Sequence, residues 1–224
     1  MKNKNIMVVI EATHPHFEII KQKYLTRSAD EAINSYDTYD IVVDLTILKT
    51  EKKIVFLKEL AKTTKAIIIS DLTTTFQEKV FHSISQVKAS VSSFFFSPTL
   101  TVEYYLHPNN EDHVSIMIKN IIESFFHEIG LKTFQSKNLE ITFTMPRVVC
   151  QIINEAYFAL DENLASPTDI DSSMIHGVNY PLGPLSWGNK SGIQNVLSIL
   201  EELYHTTNDQ RYRPSLALKK ECLK

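Results

Sequence analysis

Glycine is scarce in this sequence and is confined to its second half. There are five glycines among 224 residues, and the first of them is Gly130. Glycine adopts a positive φ at little cost and lets the backbone approach a ligand closely. The stretch before Gly130 therefore has few places where its backbone can take a positive φ, and it has no glycine-rich phosphate loop.

An excess of charge of one sign is also missing. The 23 basic and 26 acidic residues are interspersed and give a formal net charge of -3. Such a balance gives no electrostatic attraction to nucleic acid or to an anionic membrane. The longest apolar run is too short to span a bilayer. We therefore expect neither a nucleic-acid-binding protein nor a membrane protein.

Cysteine is rare as well, with Cys150 and Cys222 as the two examples. They lie in different segments and form no spacing typical of a metal or redox pair. Cys150 falls on the apolar face of a predicted helix, which favours a small core residue. We therefore expect no metal site and a cytoplasmic location.

Short apolar strands alternate with helices along the front of the chain. Strands are predicted at residues 6–10, 39–45, 66–70, 90–96, 100–106 and 131–134, and helices at 16–24, 29–35, 51–62, 75–84 and 111–129. This alternation is typical of an α/β fold with a mostly parallel sheet. From about Leu139 onward the pattern is helical, so we predict an α/β domain at 1–138 and an all-α domain at 139–224.

The second half opens with a predicted helix that begins near Met145. Its apolar residues recur at helical spacing at Val148, Val149, Ile152, Ile153, Ala156, Tyr157 and Leu160. The next helix is predicted to start with Ser166 as N-cap and Pro167 at the first helical position, and to end at Gly177. Two prolines and a glycine within 181–184 then prevent a continuous helix.

Five motifs in this half resemble, in order, the C-terminal helical domain of the 3-hydroxyacyl-CoA dehydrogenases. They are INEA (153–156), ASPTDID (165–171), YPLGP (180–184), LSILEELY (197–204) and DQRYRPS (209–215). The resemblance implies a Rossmann-like sheet followed by a helical domain. In the family those helices form the homodimer interface and help to build the acyl-CoA cleft, so a homodimer and an acyl-CoA ligand are what the resemblance implies.

The front half resembles the NAD-binding half of the same family only in outline. The helix after the first strand and the strand that follows it are compressed into residues 17–28. Family members carry GxGxxG after the first strand, where the glycines contact the pyrophosphate of NAD. The matching residues here are Ile10, Ala12 and Pro15, and Glu11 adds a negative charge. We therefore expect NAD binding to be lost, at a cost of several kcal/mol or about 10³ in affinity.

Two histidines in the same loop allow two interpretations. His14 and His16 could be metal ligands or phosphate contacts, or they could be solvated side chains on a loop. The second case is the more frequent one and is the expectation here.

The family's catalytic positions are mostly empty in this chain. The resemblance places the histidine base on Phe94, its glutamate partner on Leu106, the substrate-binding serine on Thr73 and the asparagine on Pro146. Phenylalanine cannot accept a proton, and only Thr73 keeps a hydroxyl group. Asp71, where the family has asparagine, is expected to be a turn residue. The joint loss predicts a non-catalytic relative.

Three alternatives remain open at this point. Glu103 and His107 could form a substitute dyad in a functioning L-3-hydroxyacyl-CoA dehydrogenase, although two exposed side chains near a strand end are the simpler expectation. The chain could also pair with an active homologue as a regulatory or scaffolding subunit. Trp187 is expected to pack inside the helical domain rather than to stack on a ligand.

Overall fold

A computed structural model describes residues 5–35, 38–93 and 101–224. The chain divides into two compact units, of which the first takes the described residues up to Glu140 and the second runs from Ile141 to Lys224. The sequence analysis places the division after residue 138. The roles assigned to the two parts remain predictions.

The first unit is a seven-stranded sheet with helices in the connections. Its strands are β1 Ile6–Val9, β2 Leu25–Arg27, β3 Ile41–Asp44, β4 Ile67–Asp71, β5 Val87–Ser92, β6 Thr101–Leu106 and β7 Lys132–Gln135. Its helices are α1 Phe17–Lys21, α2 Ala29–Ile33, α3 Thr50–Thr63, α4 Gln77–Ser83 and α5 Asp112–Glu128. The strand order is β2-β1-β3-β4-β5-β6-β7, and every neighbouring pair is parallel except β5 and β6. This is the Rossmann-like, mostly parallel sheet that the sequence predicts.

Helices cover both faces of the sheet. Along β1, Val8 packs into an apolar cluster with Ile122 of α5, whereas Met7 packs into a second cluster with Leu57 of α3. A strand that is buried on both faces needs apolar residues at successive positions, which explains why β1 and the first three residues of β3 are apolar.

Every strand and helix predicted from the sequence has an observed counterpart, but two details differ. The short strand β2 forms inside residues 17–28, where the resemblance places a compressed helix and strand although the apolar pattern alone predicts no strand. Strand β5 begins at Val87, three residues before its predicted start, because half-buried Lys88 interrupts the apolar pattern there. The predicted strand end at 94–96 lies outside the described residues.

The second unit is entirely helical in its regular elements. They are α6 Thr144–Asp161, α7 Pro167–Val178, α8 Pro184–Ser191, α9 Ile193–Thr207, a 3₁₀ turn at Gln210–Tyr212 and α10 Leu216–Glu221. Helix α6 contacts α8, α9 and α10. No helix in the described parts of the chain is long and apolar enough to cross a membrane.

The start of α7 is as predicted, but its end is not. The Ser166 hydroxyl accepts a hydrogen bond from the Asp169 N–H at 3.2 Å, and Pro167 occupies the first turn. The predicted end at Gly177 is wrong, because the helix continues past it and ends at Asn179, which has φ 59°. Asparagine tolerates the left-handed conformation of a C-cap, so the helix does not need a glycine there.

Candidate functional site

The carboxyl ends of β1 and β3 form the point where the strand order changes direction. From β1 the chain moves outward to β2, and it then returns to form β3 on the other side of β1. In open α/β sheets, ligands bind outside the carboxyl ends of the strands at such a point. The loop between β1 and α1 lies here, and it contains the positions that match the family's three glycines, Ile10, Ala12 and Pro15.

This loop uses several of its backbone donors internally. The His14 N–H donates to the Glu11 carbonyl at 2.9 Å, and the Phe17 N–H donates to the His14 carbonyl at 3.0 Å. The His16 N–H donates to Nδ1 of the His14 side chain at 3.2 Å. Pro15 has no N–H to offer. No residue between β1 and α1 has a positive φ. These donors are therefore unavailable to a phosphate group, which in such loops is bound by outward-facing N–H groups.

The carboxylate of Glu11 is held at the start of α2. Its Oε1 accepts a hydrogen bond from the Ala29 N–H at 3.2 Å. Ser28 and Glu31 form a reciprocal capping box at the same helix end. The negative charge of Glu11 is thus stabilised by the helix and stays beside the loop.

The His14 side chain is buried rather than solvated, so the expectation of two solvated histidines is wrong for this residue. His14 is 8% exposed, and its Nε2 lies 3.3 Å from the Ser93 hydroxyl. Burial, aided by the nearby His16, lowers the pKa of His14 to about 4, so the ring is neutral at pH 7. Because its Nδ1 accepts the His16 N–H, Nε2 carries the proton and donates to Ser93.

Asp71 joins the ends of β4 and β5. Its Oδ1 accepts the Thr73 N–H at 2.9 Å, which makes it the turn residue that the sequence analysis expects. Its Oδ2 accepts the Ser93 N–H at 2.7 Å and the Ser93 hydroxyl. The Thr73 hydroxyl donates a hydrogen bond to the Ser92 hydroxyl at 3.1 Å. Burial raises the pKa of Asp71, and its hydrogen bonds to Ser93 and Thr73 oppose that shift.

The order of these groups decides their chemistry. The Ser93 hydroxyl donates its proton in a hydrogen bond to Asp71 and accepts a hydrogen bond from His14. His14 is therefore not placed to take the proton of Ser93 during attack on a substrate. A nucleophilic serine needs the histidine itself as its base. The network of His14, Ser93 and Asp71 therefore serves to fix the loop to the strand ends.

A second buried polar group lies at the carboxyl end of β3. The Lys53 ammonium is 2.8 Å from Asp44 Oδ2, 2.5 Å from the Thr46 carbonyl and 2.9 Å from the Thr46 hydroxyl. The Ser70 hydroxyl donates to the same Asp44 oxygen at 2.6 Å. Both charged side chains are 0% exposed. The sequence analysis missed this pair, although Lys53 lies on the apolar face of α3, four residues before Leu57.

Three of the four positions matched to the family's catalytic residues lie among the described residues. Thr73 and Pro146 are buried, and Leu106 ends β6 half-buried. Phe94 lies outside the described residues. Three or more potential metal ligands are not grouped together in any described part of the chain.

The two members of the suggested dyad differ in their surroundings. Glu103 is 7% exposed within β6, so the expectation that both side chains are exposed is wrong for it. His107 follows β6, is half-buried, and its Nδ1 accepts the Asn109 N–H at 3.1 Å. Because Glu103 pairs with Ser92 while the His107 N–H donates to the Lys88 carbonyl, the two residues lie toward opposite ends of β5 and the suggested dyad is not assembled in this structure.

The INEA and DQRYRPS motifs meet in the second unit. Asn154 Nδ2 donates to the Arg213 carbonyl at 3.0 Å, and its Oδ1 accepts the Ser215 N–H at 2.9 Å. The Arg147 guanidinium donates to the Tyr212 hydroxyl and lies 5.2 Å from the centre of that ring. These contacts join α6 to the segment before α10.

The ASPTDID and YPLGP motifs also meet. Asp171 accepts hydrogen bonds from the Leu185 N–H at 2.8 Å, the Ser186 N–H at 3.0 Å and the Ser186 hydroxyl at 2.6 Å. The carboxylate thereby caps the start of α8, while Trp187 in that helix is buried as expected. The motifs that carry the resemblance are thus used to fix helices against one another.

Comparison with known proteins gives matches over the part of the chain that contains these motifs. Residues 143–224 match the family model described as 3-hydroxyacyl-CoA dehydrogenase, C-terminal domain. The 3-hydroxyadipyl-CoA dehydrogenase of Escherichia coli (strain K12) is 49% identical over 77 residues, which are 34% of this chain and 16% of that protein. The 3-hydroxybutyryl-CoA dehydrogenase of Bradyrhizobium diazoefficiens is 26% identical over 208 residues, which are 91% of this chain and 70% of that protein. The match to the E. coli relative therefore spans well under a third of that relative's length.

Solved structures show the same fold over most of the chain. The (S)-3-hydroxybutyryl-CoA dehydrogenase PaaH1 from Ralstonia eutropha matches with a TM-score of 0.67 and 24% identity, over 92% of this chain and 77% of that one. FadB2 of M. tuberculosis matches with a TM-score of 0.72 and 15% identity, over 95% and 74% of the two chains. At these identities the likeness concerns the fold.

Proposed function

The chain belongs to the 3-hydroxyacyl-CoA dehydrogenase family, and we propose that it is a member that has lost NAD binding and catalysis and is retained as a dimeric binding or scaffolding protein. The family is NAD-dependent. The matched family domain is the helical one at residues 143–224. The front half, which would hold the cofactor, lacks the family's loop glycines.

The loop between β1 and α1 carries this proposal. To bind the pyrophosphate of a dinucleotide, this loop needs free N–H donors and no negatively charged side chain beside them. Here the N–H groups of His14, His16 and Phe17 are used within the loop, and the Glu11 carboxylate lies beside it. These internal hydrogen bonds and the Glu11 charge support the proposal that the loop no longer binds the pyrophosphate of NAD.

Calorimetric titration with NADH at micromolar protein concentration tests the proposal. We expect no saturable heat and no oxidation of NADH when acetoacetyl-CoA is added. Cooperative thermal unfolding of the same sample establishes that the protein is folded. Saturable binding of NADH with one site per chain would refute the loss of the cofactor. Acetoacetyl-CoA titrated alone then tests whether an acyl-CoA is the ligand that this chain still binds.

The same assay addresses the alternative of a functioning dehydrogenase with an atypical site. Glu103 is buried opposite Ser92, whereas the His107 N–H donates to the Lys88 carbonyl near the other end of β5, so a working dyad would require a rearrangement that closes about 13 Å along the strand. In that case NADH oxidation is measurable, and Glu103→Gln or His107→Gln abolishes it. Equal rates in these variants and in the unchanged protein would remove the dyad from consideration.

Exposed apolar side chains on α6 and α7 support the proposed homodimer. On α7, Ile175 is 36% exposed and Val178 is 56% exposed, three residues further along the same helix face. On α6, Val148 is 47% exposed. Exposed apolar side chains on one helix face, such as Ile175 and Val178, are typical of surfaces that associate with another chain.

Sedimentation at micromolar concentration tests the dimer. We expect a dimer for the unchanged protein and a monomer for the double variant Ile175→Glu, Val178→Glu. Ile116→Glu is the matched control, because Ile116 is 62% exposed on α5 in the other unit and should leave the dimer intact. A monomer without any substitution would contradict the proposal. Co-purification with an active homologue would instead indicate a mixed assembly.

A further inference from the structure

A groove of about 500 Å³ lies at the amino end of β5. Strand β5 begins at Val87 and ends at Ser92, next to the Ser93 that contacts His14. The groove is therefore at the opposite end of the sheet from the loop between β1 and α1, about 20 Å away along a six-residue strand. The residues on which its chemistry depends are Glu78, Phe81, His82, Lys88, His107 and Leu139.

Three of these residues are basic. Lys88 is half-buried, and no carboxylate among the described residues pairs with its ammonium group. His107 accepts the Asn109 N–H through Nδ1, so the neutral ring carries its proton on Nε2 and can donate it. The His82 Nδ1–H donates to the Glu78 carbonyl at 2.8 Å, so Nε2 of this ring can donate to an anion only when the ring is protonated. Two rings and one ammonium thus line one cavity.

Two of the lining residues, Phe81 and Leu139, make an apolar floor. Phe81 is buried, and Leu139 packs against the same apolar cluster. The His107 ring stands edge-on to Phe81, with 4.9 Å between the ring centres and 83° between the planes. This contact fixes the His107 imidazole between Phe81 and the basic side chains of the groove.

We propose that this groove binds a small organic anion whose carboxylate is held by Lys88, His82 and His107 and whose apolar part lies on Phe81 and Leu139. The Lys88 ammonium has no described carboxylate within salt-bridge distance, although Glu78 also lines the groove, so an anion in direct contact with it would be stabilised, and hydrogen bonds to charged groups are stronger than neutral ones. The volume falls within the range of 300 to about 1,000 Å³ that is usual for small-molecule sites. None of the positions matched to the family's cofactor and catalytic residues lines the groove, although His107 also belongs to the suggested dyad, so the proposal does not depend on the loss of NAD binding.

The charge of the groove depends on pH. With both imidazoles neutral, the positive charge of Lys88 is balanced by Glu78, which is the carboxylate among the lining residues. Burial, together with the charges of Lys88 and His82, lowers the pKa of His107. A bound anion favours the protonated rings, so affinity for the anion rises as pH falls from 7.5 to 6, and the pKa of His107 rises when the anion is bound.

Titration with benzoate, followed by NMR of the histidine Cε1 resonances, tests the site. We expect saturable shifts of His82 and His107, tighter binding at pH 6 than at pH 7.5, and no saturable shift with the neutral analogue benzamide. Lys88→Met should weaken binding by about tenfold or more, since it removes a charge-assisted contact. His82→Gln, a change at an exposed residue, should also weaken it. Lys58→Met removes an exposed lysine of α3 and should change nothing.

Three results would overturn the proposal. The first is the absence of saturation with benzoate at about 10 mM, a concentration far above useful affinities. The second is equal binding of benzamide, which would show that the anionic group is not recognised. The third is an equal loss of affinity in the Lys88→Met and Lys58→Met variants, which would indicate general charge screening instead of a site.

Discussion

The Asp171 carboxyl group lies in the space that a side chain on Gly183 would need. A Cβ built on Gly183 would overlap Asp171 Cγ, Cβ and Oδ1. The backbone angle of Gly183 is ordinary, with φ -64°, so the absence of a side chain is required by this contact and not by conformation. The relationship links the last residue of ASPTDID to the glycine of YPLGP.

Gly183→Ala should therefore destabilise the protein by about 1 to 3 kcal/mol, the usual cost of inserting a methyl group into a packed place. Urea denaturation gives the change in the free energy of unfolding. Gly177→Ala is the matched control, because no atom lies within 4 Å of its Cβ position and the residue is inside α7. Alanine is better than glycine inside a helix, so this change should stabilise by about 0.5 to 1 kcal/mol.

The same pair predicts non-additivity. Asp171→Ala alone should cost about 1 to 2 kcal/mol, because α8 loses the cap on its first N–H groups. Combined with Gly183→Ala it should cost less than the sum, since two of the three overlapping atoms, Cγ and Oδ1, are gone and only the overlap with Cβ remains. Strict additivity of the two changes would contradict the proposed contact.

The buried ion pair between Lys53 and Asp44 gives a second stability prediction. Lys53→Met leaves the Asp44 carboxylate buried without its cation, which should cost about 3 to 5 kcal/mol. Thermal or urea unfolding measures the loss. Lys62→Met is the control, because its partner Glu59 and Lys62 itself are both largely exposed, and removing such a pair changes stability by less than about 1 kcal/mol. Equal effects of the two changes would contradict the role of burial.

Local patterns in the sequence were enough to predict the elements of this fold. Ser166 and Pro167 marked the start of α7, because an N-cap and a first-turn proline act within one turn of helix. The end of α7 was misplaced, because two residues, Gly177 and Asn179, could each terminate a helix and only the structure shows which one adopts the left-handed conformation.

The arrangement around the candidate site could not be predicted from local patterns. His14 and Ser93 are 79 residues apart in the chain, so nothing near His14 in the sequence indicates that it is buried. Lys53 is different, because the sequence alone shows that it lies on the apolar face of α3. The sequence does not show that Asp44 is its partner. Burial of polar groups depends on which strand ends meet, and that is a property of the sheet.

The burial of His14 predicts a particular dependence of stability on pH. Its pKa is lowered from 6.5 to about 4 in the folded protein, so the unfolded chain takes up a proton first as the pH falls. The free energy of unfolding should therefore decline from pH 6.5 downward, and at pH 5 the loss due to His14 amounts to about 2 kcal/mol. The stability is fully present above pH 6.5, where the ring is neutral in both states.

Two neighbouring groups must be separated from this effect. The raised pKa of Asp71 acts in the opposite direction, because the folded protein then takes up that proton first and gains stability as the pH falls through the raised value. His16, whose pKa is also lowered by burial, acts in the same direction as His14. The His14→Gln variant keeps Asp71 and His16. The difference in stability between this variant and the unchanged protein therefore isolates the effect of His14. Urea midpoints from pH 7.5 to 5 should fall more steeply for the unchanged protein, and parallel curves would show that His14 is accessible to protons in the folded state.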